Sequence, residues 1–213
     1  MTTPMKQRYD KLGPKVAEAL AKRFFEAWYF PESSCAVEKV FSLIPITDTV
    51  SWGGSLTVDA LNITKMAEEK GYKVIDRDKA PTPAERSALM RQALLCDTFL
   101  TGSNAITEDG QLVNIDGNGN RVAAMIFGPK QVIVVAGMNK VVKTVEDAFI
   151  RAKMTAAPAN RQRFPNLKTP CGETGACADC LSPDSICAFV VGTRLCKPAG
   201  RIKVILIGED LGL

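Results

Sequence analysis

The chain contains no histidine among its 213 residues. This absence removes the commonest general base, the Ser–His and Cys–His nucleophile pairs, and the usual nitrogen ligands of zinc and non-haem iron. We therefore expect any chemistry to depend on carboxylates, lysine, thiolates or a cofactor.

The sequence also lacks a long apolar run and a cluster of basic residues. Its longest apolar stretches, residues 132–136 and 204–207, have the length of buried strands and fall far short of the ~20 residues of a membrane span. Residues 1–10 are polar and contain no apolar segment of the signal-peptide type. The net charge of +4 is spread along the chain. We expect a soluble, cytoplasmic protein that binds neither nucleic acid nor membrane.

Four of the seven cysteines lie close together in a loop rich in glycine and proline, with the spacing C-x5-C-x2-C-x6-C. They are Cys171, Cys177, Cys180 and Cys187. Thiolates suit iron–sulfur clusters, zinc or copper(I), and this spacing matches neither ferredoxin pattern nor the paired C-x2-C of structural zinc. We expect an iron–sulfur cluster of the 4Fe–4S type, with zinc as the alternative. A reduced, empty loop or a pair of disulfides stays open.

The remaining three cysteines are less informative. Cys35 and Cys96 have apolar neighbours in the sequence, which predicts two buried small hydrophobic side chains. Cys196 is either a reserve ligand or a residue without a functional role.

Hydrophobic periodicity predicts alternating helices and strands in the first half of the chain. Helices are expected at 9–30, 32–44, 58–70 and 83–95, and strands at 47–51, 72–75 and 98–100. Such alternation predicts an α/β fold with parallel strands and helices on both faces. The simplest organisation is a single domain over 1–213, with an N-terminal helical segment at 1–45 and a cysteine-rich loop at 165–190.

The second half of the chain departs from this alternation. Extended runs at 111–115 and 121–126 flank the glycine- and asparagine-rich residues 116–120, which predicts a β-hairpin insert. Further strands are expected at 131–136, 189–193 and 201–207, and a helix at 144–157 that ends before Pro158. The predicted fold is therefore a mainly parallel α/β sheet with a hairpin insert.

Two predicted strands end in corners of small, donor-rich residues. Gly53, Gly54 and Ser55 form the first corner, and Gly102, Ser103 and Asn104 form the second. Ligands of open α/β sheets bind beyond the carboxyl ends of the strands, where glycine-rich turns expose backbone N–H groups to anions. We expect a phosphate or carboxylate pocket here, and ordinary tight turns remain the alternative.

Further polar residues are candidates for the same pocket. Asp116, Asn118, Asn120 and Arg121 belong to the predicted hairpin, and Lys140 follows a predicted strand. Arg121 could clamp a carboxylate, and Lys140 could meet an anionic substrate. Glu108 is the catalytic candidate, as an acid or base, because glutamate has little turn propensity. Turn formation, helix capping or simple solvation could equally explain these polar residues.

Several motifs together resemble one known family. They are residues 102–123, Gly128-Pro129, residues 137–140, Trp52-Gly53-Gly54-Ser55 and the closing segment 202–211. These resemble the LUD domain family of lactate-utilisation proteins, formerly a domain of unknown function. The resemblance implies a Rossmann-like fold similar to the sugar-phosphate isomerase and CoA-transferase group. Some members belong to a three-protein system that oxidises L-lactate and includes an iron–sulfur partner.

Three hypotheses follow for the function of this stand-alone chain. The first is a protein that binds an iron–sulfur cluster and a small anionic metabolite during the oxidation of lactate or a related organic acid. The second is a non-redox isomerase or CoA-transferase-like enzyme with structural zinc. The third is a non-catalytic subunit of an oxidoreductase complex. Partner subunits of an oxidoreductase and assembly into a homo-oligomer are both compatible with these hypotheses.

Overall fold

Six parallel strands form the central sheet of the protein, which a computed structural model describes over residues 3–213. Strands and helices are numbered in chain order. Across the sheet the strands are β1 (Glu26–Phe30), β10 (Ile202–Ile207), β7 (Gln131–Gly137), β4 (Thr98–Thr101), β2 (Thr49–Trp52) and β3 (Lys73–Ile75). Every neighbouring pair is parallel. The predicted mainly parallel α/β fold is confirmed.

A smaller sheet of four strands lies beside the central one. Its order is β8 (Val141–Val142), β5 (Ala105–Thr107), β6 (Leu112–Asp116) and β9 (Phe189–Thr193). Strands β5 and β6 form an antiparallel hairpin, and β9 pairs antiparallel with β6. A hairpin is therefore present, but its arms are β5 and β6 instead of the predicted residues 111–115 and 121–126.

The predicted second arm of the hairpin, residues 121–126, is a helix instead. Helix α6 (Asn120–Ile126) follows Gly119, whose φ of 81° only glycine adopts readily. Asp116 Oδ2 accepts the backbone N–H groups of Arg121 at 3.0 Å and Val122 at 3.1 Å. The carboxylate thus satisfies amides at the start of the helix, a local contact that outweighs the turn signal of the Asn-Gly sequence.

The other helices cover the two faces of the central sheet. They are α1 (Pro4–Lys22), α2 (Ser33–Ser42), α3 (Leu56–Ala60), α4 (Ile63–Glu69), α5 (Pro83–Gln92), α7 (Val145–Arg151), α8 (Ala157–Arg161) and α9 (Pro170–Thr174). A π-helical turn, Ala152–Ala156, joins α7 to α8. None of the helices within residues 3–213 combines the length and apolar character needed to cross a membrane.

Three helix predictions were wrong in their bounds. The helix predicted at 9–30 ends at Lys22, because residues 26–30 pair with β10 as strand β1. The helix predicted at 58–70 breaks at Asn62, which adopts a left-handed φ of 54°. The last long helix continues past Pro158, since the preceding π-helical turn accommodates a residue without an N–H group.

The predicted N-terminal helical segment of residues 1–45 therefore also contains a strand. Met1 and Thr2 of that segment lie outside the described residues.

Strands β7 and β10 are buried on both faces, as expected for central parallel strands. Val134 and Leu206 face α1 and α6 in one apolar cluster. Ile133 and Ile205 face the opposite way, into a second cluster with α2, α3 and α4. The sheet is therefore anchored from both sides, which fixes the carboxyl ends of its strands as a rigid edge.

Candidate functional site

A cleft of about 360 Å³ opens beyond the carboxyl ends of β2 and β4. Its walls include ten of the eleven residues that the sequence proposed for substrate binding: Gly54, Ser55, Gly102, Ser103, Asn104, Asp116, Asn118, Asn120, Arg121 and Lys140. The eleventh, Gly53, lies behind the wall and donates its N–H to the carbonyl of Leu100 at 3.0 Å. The fold thus brings both glycine-rich corners and the segment after β6 to one place.

Arg121 is held by the protein itself. Its guanidinium donates to Asn114 Oδ1 at 3.1 Å, Asn104 Oδ1 at 2.8 Å and the carbonyl of Ile115 at 2.5 Å. A Cβ on Gly53 would lie 2.9 Å from the Arg121 side chain, so glycine lets the arginine stem pass. These bonds use three of the five N–H donors of the guanidinium, including both on Nη2. Arg121 therefore organises the wall of the cleft by joining α6 to β6.

Arg77 was missed by the sequence analysis and has unused hydrogen-bonding capacity. It lies in a 3-10 turn after β3, with 13% of its side chain exposed. Its Nε is buried and has no hydrogen-bond partner among residues 3–213. Asp78, whose carboxylate lies 3.9 Å from that Nε, is 2.7 Å from Arg86. Nη2 of Arg77 reaches within 3.0 Å of the position of a Cβ on Gly54.

An unsatisfied buried donor is costly unless a ligand or water pairs with it. Arg77 therefore marks the part of the cleft that is best suited to an anion. The sequence around it, Asp-Arg-Asp-Lys, has the composition of a solvated turn and gives no signal of this placement.

Lys140 lies at the inner wall of the cleft, only 4% exposed. Its Nζ donates to Thr57 Oγ1 at 2.9 Å, and none of the ion pairs among the described residues includes it. Burial, followed by the nearby charges of Arg151 and Arg121, lowers the pKa of Lys140 to about 7. Its amine is therefore partly neutral near physiological pH, unlike an exposed lysine.

The charge of the cleft favours an anion. Five cationic side chains line it, namely Arg77, Arg86, Arg121, Arg163 and Lys140. Three acidic side chains also line it, those of Asp59, Asp78 and Asp116. Burial raises the pKa of Asp59, which weakens the negative contribution further. A concave site with excess positive charge is typical of a small-anion pocket.

Glu108, the predicted acid or base, does not line the cleft. It lies in the turn at the far end of β5, where its carboxylate accepts from Lys143 Nζ at 2.7 Å. Arg8 is 3.9 Å away, and Glu108 borders a separate surface depression along α1. Strand β5 leads away from Asn104, and the four residue steps from Asn104 to Glu108 carry Glu108 roughly 13 Å along the strand from the cleft. The geometry offers no support for the catalytic role.

The four clustered cysteines are half-buried and free of disulfides. Burial raises the pKa of Cys187, and the thiolates of Cys177, Cys171 and Cys180 raise it further. Over residues 3–213, however, no three His, Cys, Asp or Glu side chains converge closely enough to hold a metal ion. The donor chemistry fits a soft metal or cluster, whereas the sulfurs do not form a closed ligand set.

The three other cysteines differ from one another. Cys96 is buried, as predicted. Cys35 is exposed, so the prediction of a buried side chain was wrong; it lies on the outer face of α2, while Ala36 and Val40 fill the core. Cys196 is buried, and its thiol donates to the carbonyl of Pro198 at 3.2 Å.

The cysteine loop is anchored at its base by Arg161, which is 6% exposed. Arg161 donates to Thr169 Oγ1 at 2.8 Å and to the carbonyl of Phe164 at 2.6 Å. The loop also reaches the cleft: Ile186 lines it, and a Cβ on Gly117 would lie 3.2 Å from the Ile186 backbone. The residue next to Cys187 is therefore part of the cleft wall.

These features define an α/β protein with a cleft lined by five basic side chains at the strand ends and a four-thiol loop beside it. The LUD domain family model matches residues 14–207, and the chain belongs to this family. The resemblance predicted from the sequence is confirmed. Membership supports a role related to lactate utilisation in general terms. A comparison with curated protein sequences found no match.

Solved structures with a similar fold include a DUF162 family protein from Deinococcus radiodurans. The two chains are 13% identical, the alignment covers 93% of this chain and 97% of that chain, and the TM-score is 0.52. Two ribose-5-phosphate isomerases A are similar over a smaller part. The Neisseria gonorrhoeae enzyme is 15% identical (52% of each chain, TM-score 0.33), and the Methanocaldococcus jannaschii enzyme is 18% identical (55% of this chain, 63% of that chain, TM-score 0.33).

Proposed function

We propose that this LUD-family protein binds a small organic acid, lactate or a related anion, in the cleft and takes part in its oxidation. The observation that carries the proposal is the buried Nε of Arg77, which has no hydrogen-bond partner among the described residues. It lies beside Gly54 in a cleft that also holds Lys140, a cation without a carboxylate partner. An anionic ligand in this cleft would supply the partner that these two side chains lack.

The carboxylate of the acid would pair with Arg77. A guanidinium binds a carboxylate through two parallel N–H bonds, and this pairing is strong in a partly buried setting. Asn118 and Asn120, which also line the cleft, offer amide donors and acceptors for a hydroxyl group. Gly54 lets the Arg77 guanidinium approach the backbone of this corner, and Gly102 does the same for the Ser55 hydroxyl.

We further propose that Cys171, Cys177, Cys180 and Cys187 hold an iron–sulfur cluster, which would supply one-electron transfer. Oxidation of a hydroxy acid releases two electrons, so we include an oxidoreductase partner subunit as the acceptor. The loop would close around the cluster, since its thiols are free and its base is anchored at Arg161. Colourless protein that contains zinc would instead favour the non-redox alternative.

Titration calorimetry with L-lactate and pyruvate tests the binding proposal. We expect Arg77→Gln to weaken binding about tenfold or more, because the charge-assisted pair is lost. The matched control is Arg91→Gln, which alters an exposed arginine of α5 outside the cleft and should bind like the unchanged protein. Equal affinity in Arg77→Gln, or no binding of either acid by the unchanged protein, would contradict the proposal.

A further inference from the structure

We infer that Lys140 forms an imine with the carbonyl group of a 2-oxo acid bound in the cleft. The inference rests on the proposed function and deepens it, because it names the class of acid and the reactive group that meets it. A 2-oxo acid is the product class of hydroxy-acid oxidation.

The environment of Lys140 is unlike that of the lysines that form ion pairs in this protein. Lys6, Lys65, Lys79, Lys130, Lys143, Lys153 and Lys203 each lie within 4 Å of a carboxylate. Lys140 is 4% exposed, and its hydrogen bond is to a neutral hydroxyl, Thr57 Oγ1. Burial of an ammonium group without a compensating charge is expensive. A group kept in so unfavourable a place is typical of a reactive site.

The same environment favours the form of the amine that reacts. Burial and the charges of Arg151 and Arg121 lower the pKa of Lys140 to about 7. A neutral amine carries the lone pair that attacks a carbonyl carbon, and lysines that form Schiff bases are activated by desolvation or by neighbouring cations. Both conditions are met at Lys140.

Lys140 lies in the same cleft as the acid proposed above. Arg77 lies against Gly54, and Lys140 is bonded to Thr57. Gly54 and Thr57 are three residues apart in one stretch of chain, and both the lysine and the arginine line the cleft. A small acid held in this cleft is therefore enclosed together with the Lys140 amine.

The proposed step is balanced without an oxidant or reductant. The neutral Nζ attacks the carbonyl carbon, and a C–N bond forms while one proton passes from nitrogen to the carbonyl oxygen. The resulting carbinolamine loses its hydroxyl group together with the second nitrogen proton. The C–O bond breaks, water leaves, and a C=N bond remains.

Borohydride trapping tests the inference on the full chain, with pyruvate as the probe. Borohydride reduces an imine to a stable secondary amine, which peptide mass spectrometry locates. We expect the adduct at Lys140, its loss in Lys140→Arg and its retention in Lys130→Arg, a control at a side chain that is 83% exposed. Lys140→Met keeps most of the stem without the amine and serves where arginine does not fit. An adduct that persists in both Lys140 variants would overturn the inference.

Calorimetry on the same samples separates the two proposals. Pyruvate that binds the unchanged protein without a trapped adduct at Lys140 would overturn imine formation and leave the proposed anion binding intact. Failure of both pyruvate and L-lactate to bind would overturn the proposed function itself, and the inference with it. Binding together with a Lys140 adduct would support both.

Discussion

The cleft and the cysteine loop differ in how firmly the folded chain holds their side chains in place. In the cleft, Arg121 is fixed by three acceptors, and Lys140 is fixed by Thr57. In the loop, four half-buried cysteines are free, and their side chains do not converge on a common metal position. A preorganised site binds with little ordering cost, whereas an unfinished site gains order from its ligand. We therefore expect a metal to change the loop more than it changes the cleft.

The largest expected effect concerns the metal. Cys177→Ser combined with Cys180→Ser should abolish bound iron, because two thiolate ligands are removed from a four-thiol set. Iron and sulfide content, with visible absorbance, should be measured on anaerobically purified protein. Cys35→Ser, at an exposed thiol outside the loop, is the control and should keep its iron. Iron retained by the double variant would show that the loop is not the ligand set.

In the cleft, the buried Lys140 should make the free energy of unfolding depend on pH. Lys140 has a pKa of about 7 in the folded state, against 10.5 for an exposed lysine, because it is buried and lies near the charges of Arg151 in α7 and Arg121 in α6. Between these values the unfolded chain binds the additional proton, so stability rises with pH; below about 7 the full cost of burial is present.

Lys140→Met should therefore raise the free energy of unfolding by a few kcal/mol near pH 6, and this gain should shrink as the pH approaches 10. Denaturant unfolding over this pH range measures the difference between variant and unchanged protein. The control Lys11→Met removes an exposed lysine of α1 and should follow the unchanged protein. A pH-independent difference for Lys140→Met would show that Lys140 is an ordinary protonated lysine.

Much of the cleft could be predicted from the sequence, because its corners carry local signals. Glycine-rich turns after buried strands are visible in the sequence, and parallel topology places the carboxyl ends of such strands at one edge. Arg77 could not be found in this way. Its burial depends on packing across Gly54, which is distant in the chain.

The errors in the predicted fold have both non-local and local causes. Residues 26–30 form a strand because β10, at the other end of the chain, pairs with them. Residues 121–126 form a helix because of a local contact, in which Asp116 binds their first amides. Glu108 was placed at the site because the direction of β5 could not be known from the sequence.

A smaller effect is expected from a substitution at Gly54, which should weaken ligand binding with little change in the stability of the fold. Gly54→Val places a Cβ 3.0 Å from Arg77 Nη2, which is the mobile end of a side chain and can move at low cost. We expect weaker binding of L-lactate or pyruvate, with a change in unfolding free energy of about 1 kcal/mol or less. Titration calorimetry and thermal unfolding on the same sample measure the two quantities. Unchanged affinity would exclude Gly54 from the ligand site.

A ligand-bound structure tests the central claim most directly. Crystals grown with pyruvate or L-lactate should show the carboxylate within hydrogen-bond distance of the Arg77 guanidinium, and the carbonyl or hydroxyl carbon next to Lys140 Nζ. An acid found elsewhere, touching neither of these side chains nor the corner at Gly54 and Ser55, would contradict the account.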